Sequence, residues 1–121
     1  MLDHIIITVR DFGKSKAFYQ AALKPLGYEI AMQFGPGAGF GWEGKPDFWI
    51  WGEGDVTAPI HVAFQSTDRA TVDAFYQAAL AAGGQDNGAP GLRPHYHPTY
   101  YAAFVFDPDG NNIEAVCHRP E

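Results

Sequence analysis

The stretch from Asp3 to Leu23 recurs later in this chain, and that repetition limits the possible folds more than any other feature. Moved forward by 57 positions, His4 falls on His61 and Asp11 on Asp68, and the run Ala17-Phe18-Tyr19-Gln20-Ala21-Ala22-Leu23 falls on Ala74 to Leu80 without a gap. Ten of the 26 positions from 4 to 29 are identical under that shift, where unrelated segments of ordinary composition share about one or two. A period this long, present only twice, specifies two paired modules and not a solenoid. The expected organisation is one domain over 1–121, with module one at 1–52, a linker at 53–59 and module two at 60–121.

Within each module the order of elements is legible. Leu2 to Val9 is short, β-branched and broken by Asp11-Phe12-Gly13, so it reads as a strand. Asp11 is placed to cap a helix carrying Phe18, Ala21 and Ala22, which Pro25 and Gly27 end. Tyr28–Phe34, Gly39–Glu43 and Asp47–Trp51 follow as three strands separated by Gly-Pro-Gly and Gly-Lys-Pro turns. Module two repeats the start with a strand at Ile60–Ser66 and a helix from Asp68 to about Ala82. It closes with a hairpin of Tyr100–Phe106 and Asn111–His118 across Asp107-Pro108-Asp109-Gly110. The glycine- and proline-rich segment Asp86 to Pro98 is expected to be a loop over the site, in place of a compact strand. The fold class is therefore α+β.

Charge narrows the partners. With a net charge of −6, the chain would repel nucleic acid and anionic membranes. No apolar run approaches the ~20 residues that span a bilayer, and the N-terminus lacks the features of a secretory signal. The single Cys117 cannot form an internal disulfide. A cytoplasmic protein acting on a small-molecule substrate is the expectation.

Alternation along the strands then selects residues. His4 shares a face with Leu2, Ile6 and Thr8, leaving Ile5, Ile7 and Val9 to pack on a helix. His61 shares its face with Ala63 and Gln65, and Glu114 with Asn112, Val116 and His118. In all three strands the helix-facing set is mostly apolar, and the opposite face holds one good metal ligand. Two imidazoles and a carboxylate make a facial triad that leaves coordination positions free for substrate. The competing reading makes Glu114 the partner of Arg93 or Arg119 in a salt bridge, and the histidines structural.

The paired β-α-β-β-β order, the histidine opening each module and Asp-Pro-Asp-Gly-Asn-Asn-Ile-Glu at 107–114 resemble the vicinal oxygen chelate superfamily. That superfamily includes glyoxalase I, extradiol dioxygenases, fosfomycin-resistance thiol transferases and bleomycin-binding proteins. The resemblance implies two βαβββ modules curling into a cup-shaped mixed sheet. It also implies a divalent metal (Fe, Mn, Zn, Ni or Co) held by His4, His61 and Glu114, and a substrate that chelates it through vicinal oxygens. The activity implied is that of a glyoxalase-like lyase, a dioxygenase or a thiol transferase. Glyoxalase I-like members add a fourth, proton-moving carboxylate from the last strand of module one, and here that position falls on Phe48 or Trp49. The alternative is a metal-free drug-binding protein of the bleomycin-resistance type. Small two-module members usually pair, so a homodimer is expected; the sequence leaves open which chain supplies His4.

Around this triad the sequence nominates further residues. His95 and Tyr101, in or beside the long module-two segment, are candidates for acid–base work from a lid, against the alternative of a solvated loop. Trp49, Trp51, Arg93 and Tyr100 are candidates for the substrate pocket, and Trp42, Phe34 and Phe40 for its apolar walls. Cys117 is expected to face a helix and be inert.

Overall fold

A computed structural model describes residues 1–121. Both copies of the repeated segment form a strand and then a helix: β1 (Ile5–Thr8) leads to α1 (Phe12–Ala22), and β5 (His61–Gln65) leads to α2 (Arg69–Ala81). The two repeated aspartates do the same work. Asp11 accepts the Lys14 N–H at 3.0 Å and Asp68 accepts the Thr71 N–H at 2.7 Å, satisfying amides that a first helical turn leaves without carbonyl partners. After α1 a short 3-10 turn at Lys24–Leu26 ends on Gly27, whose φ of 84° is left-handed.

Three more strands complete each module: β2 (Glu29–Phe34), β3 (Gly37–Trp42) and β4 (Lys45–Trp51) in the first, and β6 (Gln85–Leu92), β7 (Tyr101–Phe106) and β8 (Asn112–Cys117) in the second. They form two four-stranded sheets of matching order, β1-β4-β3-β2 and β5-β8-β7-β6. Both sheets are mixed, because β1–β4 and β5–β8 run parallel while all other neighbours are antiparallel. The architecture is two βαβββ modules.

One expectation is corrected. Residues 85–92 form strand β6, not a loop, although they include Gly88, Pro90 and Gly91. The pairing with β7 shifts register on both sides of Gly88, which sits at φ 148°. β6 is a terminal strand of its sheet, where a proline without an N–H is tolerated. The loop is shorter than expected and lies between β6 and β7.

One contiguous apolar cluster draws on both modules, joining Ile7, Phe18, Tyr19, Phe40, Phe48 and Ile50 to Phe64, Val72, Phe75, Ile113 and Cys117. The modules therefore share a single core. Cys117 is buried there, and Phe40 is also core, not pocket wall. The Asp107-Pro108-Asp109-Gly110 turn of module two latches onto module one. Buried Asp107 accepts from the Tyr19 hydroxyl and from the Asn111 side chain, and Asp109 accepts from Arg10 at 3.1 Å and Ser15 at 3.4 Å. Burial and the neighbouring Asp107 raise the Tyr19 pKa well above the ordinary phenol value.

Candidate functional site

The faces turned away from the helices carry the candidate chemistry, and strand register aligns them in rows. In module one, Ile6, Trp49, Gly39 and Met32 stand opposite one another across β1, β4, β3 and β2. In module two the corresponding row is Ala63, Glu114, Phe104 and Gly88 across β5, β8, β7 and β6. Ile6 and Ala63 coincide under the shift of 57, so Trp49 is the counterpart of Glu114. That resolves which of Phe48 and Trp49 occupies the site-facing position; Phe48 is buried in the core. Below that row β4 carries a β-bulge: Phe40 pairs with Phe48 but Gly41 pairs with Pro46, leaving Asp47 extra in β4. The Asp47 side chain accepts from the Tyr28 hydroxyl at 2.8 Å.

Glu114 is the chemical centre of module two. Its side chain is only 1% exposed, and both carboxylate oxygens have partners. His61 Nε2 lies 2.7 Å from Oε1, and the Tyr100 hydroxyl donates to Oε2. A carboxylate this deep is costly without such partners. Burial, then the bond to Glu114, push the Tyr100 pKa up to about 12. The salt bridge to Arg93 or Arg119 does not form. Arg93 instead donates to the Ala89 and Gly91 carbonyls at 2.9 Å and lies 5.3 Å from the Phe104 ring centre.

His4 stands apart from this pair. Its Nδ1 is 2.7 Å from the Asp3 carboxylate, and it lines the hollow of module one with Ile6, Phe34, Lys45, Trp49 and Trp51. No group of three His, Cys, Asp or Glu side chains within the chain is arranged to hold a metal ion. One chain thus joins His61 to Glu114 and keeps His4 on the sister face.

The remaining candidates divide. Arg93 and His95 line a polar hollow with Tyr96, Phe104 and Asn112, and His95 rests against Tyr96 with ring centres 4.2 Å apart. Tyr101, expected to serve the site, faces the other way. Its hydroxyl donates to Asp73 of α2 at 2.7 Å, and its ring packs under Arg69. The alternation that assigns Phe104 to the Glu114 face sends Tyr101 to the helices and brings Tyr100 to Glu114. Trp42 is exposed and lines a separate hollow with Leu26, Tyr28 and Thr71. Asn112, the ladder partner of His61, was not among the candidates; its Oδ1 is buried without a hydrogen-bond partner.

The family model for the glyoxalase/bleomycin resistance protein/dioxygenase superfamily matches residues 1–115. The chain belongs to that superfamily. Among solved superfamily folds it is similar to a glyoxalase/bleomycin resistance protein from Albidiferax ferrireducens T118, at 28% identity and TM-score 0.83, covering 97% of this chain and 98% of that one. A glyoxalase/bleomycin resistance protein/dioxygenase family enzyme from Burkholderia phytofirmans PsJN aligns at 21% identity and TM-score 0.74, covering 98% of both chains. A lactoylglutathione lyase from Agrobacterium tumefaciens aligns at 17% identity and TM-score 0.70, covering 97% of this chain and 92% of that one. These last two likenesses bear on the superfamily fold alone. No curated protein matches the chain. No helix is long and apolar enough to cross a membrane.

Proposed function

We propose that the chain is a metal-dependent enzyme of this superfamily, acting on a small substrate that presents two vicinal oxygens. The observation that carries the reading is a buried carboxylate, Glu114, with an imidazole nitrogen 2.7 Å away on a face free of helices. The donor set fits a divalent ion of the Fe, Mn, Zn, Ni or Co kind. With its proton on Nε2, His61 donates to Glu114; without it, the same nitrogen offers a lone pair beside the carboxylate, and the two become adjacent ligands. His4 is the third. Because His4 lies on the sister face, we place it as the contribution of a second copy, in a homodimer that sets module one of each chain over module two of the other. The ion would act as a Lewis acid toward charge developing on the substrate oxygens.

Around that centre the chain's own groups have definite work. Tyr100 holds Glu114 by its second oxygen, and Arg93 offers a cation to a substrate beside it. Trp49 stands where Glu114 has its counterpart, so the β4 position in that row offers no carboxylate to move a proton, and Asp47 of the same strand is engaged by the Tyr28 hydroxyl. Ring-cleaving dioxygenation or thiol transfer therefore suits the residues better than a glyoxalase I type of isomerisation.

Metal analysis after chelator-free purification tests this directly. About one equivalent per chain is expected, lost in His4→Ala and in Glu114→Ala. Mixing the two variants should restore about a quarter of the sites if His4 comes from a second copy, since each mixed dimer rebuilds one intact site. A second reading, a metal-free drug-binding protein, is favoured by the two protein partners that already satisfy Glu114. No metal in the parent chain, together with tight drug binding, would select it.

A further inference from the structure

Gly37 and Gly39 of β3 are glycine for a reason that bears on the substrate. A Cβ on Gly37 would lie 2.5 Å from the Trp51 ring, and one on Gly39 would lie 2.7 Å from the Trp49 ring. Both indoles are therefore laid across β3, over positions where side chains are missing, and do not stand up from the sheet. Phe34 meets both edge-on, with ring centres 5.8 and 6.0 Å away. It is itself 58% exposed, as are Ile6 (54%) and Met32 (49%) beside it. The result is an aromatic floor with an open face, under a hollow of about 550 Å³, a size suited to a small ligand.

The rim supplies a charge. Lys45 and the pair His4–Asp3 border the hollow. Asp3 is hydrogen-bonded to His4 at 2.7 Å, whereas Lys45 makes no salt bridge. In a chain of net charge −6, the one unmatched cation at this floor complements an anion and not a second cationic group.

We propose that the open face of module one binds a planar aromatic ring carrying an anionic group, with the ring on Trp49 and Trp51 and the anion toward Lys45. This rests on the reading that the face belongs to the enzyme's site, and it narrows the substrate class to aromatic acids or acidic phenols. Flat indoles favour a flat partner: offset-stacked rings gain contact and quadrupole attraction that a puckered saturated ring does not.

The experiment uses EDTA-treated full-length chain, so that it reads the floor independently of any metal. Calorimetry would measure 2-naphthoate, its saturated analogue decahydro-2-naphthoate, and neutral 2-naphthamide. Expected are binding of 2-naphthoate, weaker binding of both analogues, a loss of roughly five- to tenfold in Trp49→Leu, and a several-fold loss in Lys45→Gln that disappears at high salt. Trp42→Leu, on the separate hollow, should leave affinity unchanged. Lys45→Gln alters an exposed side chain, so it remains informative if Trp49→Leu folds poorly. Equal affinity for the saturated acid, or an unchanged Lys45→Gln, overturns the proposal. Absence of naphthoate binding overturns it too, and if Trp49→Leu then shifts sedimentation toward monomer, the face serves the dimer contact alone. Binding of naphthoate by a chain that takes up no metal would leave this inference standing and sink the metal-dependent reading.

Discussion

Replacing Tyr100 by Phe removes one oxygen and leaves ring, strand and loop in place, so its effect isolates the bond to Glu114. The Glu114 side chain is 1% exposed, and Oε2 has the Tyr100 hydroxyl as its partner while Oε1 keeps His61. Hydrogen bonds to charged groups contribute about 1.5–3 kcal/mol. Tyr100 is itself partly exposed, and water entering beside the ring recovers some of that, so about 1.5–2 kcal/mol is expected. For a chain of this length the unfolding entropy is about 0.25 kcal/mol/K, and Tm should fall by roughly 6–8 °C. Urea unfolding in EDTA, with an unchanged m-value, is the assay. The same substitution in a Glu114→Gln background should cost less than about 0.5 kcal/mol, because the charged acceptor is gone. The reasoning fails if Tyr100→Phe lies within about 0.5 kcal/mol of the parent, or if the loss is the same in both backgrounds.

Other consequences are equally direct. Gly39→Ala puts a methyl 2.7 Å from the Trp49 ring and 2.8 Å from Pro46 Cβ; a loss of about 1–3 kcal/mol is expected, with altered near-ultraviolet circular dichroism as the indole lifts. Tyr19→Phe cuts the tie between α1 and the module-two turn at Asp107, and should cost about 1.5–3 kcal/mol by thermal or urea unfolding. Raised phenol pKa values at Tyr19 and Tyr100 mean that the folded state holds those protons more tightly than the unfolded chain. Stability is then full below about pH 10 and declines above it, for Tyr100 toward about pH 12. Urea titrations across that range should show a shallower decline in Tyr19→Phe.

The clearest limit of sequence reading here is β6. Its Gly88, Pro90 and Gly91 look like a loop because local propensity is all that a linear scan weighs. Backbone pairing with β7 decides otherwise, and its partners run from Tyr101, opposite Leu92, to Phe106, opposite Gln85. Tyr101 differs: it sits in a legible strand, and the alternation that puts Phe104 beside Glu114 sends its hydroxyl to Asp73 of α2. The role of the Asp107-Pro108-Asp109-Gly110 turn was half visible. Its turn chemistry is local, whereas its grip on Tyr19, Arg10 and Ser15 exists only once the modules are packed.

By itself, then, the linear chain determined the duplication, the two helix caps, and that His61 and Glu114 each point away from the helix side of their strands. Repetition and the period-two alternation of a strand are properties of neighbouring residues, and they survive without coordinates. Tertiary structure alone decided that Trp49 answers to Glu114, because the ladders of β4 with β1 and β3 set Trp49 opposite Ile6 and Gly39. It also decided that His4 stays on the sister face of its own chain, since how two sheets are set against each other depends on the shared core and the latch, which no local pattern encodes.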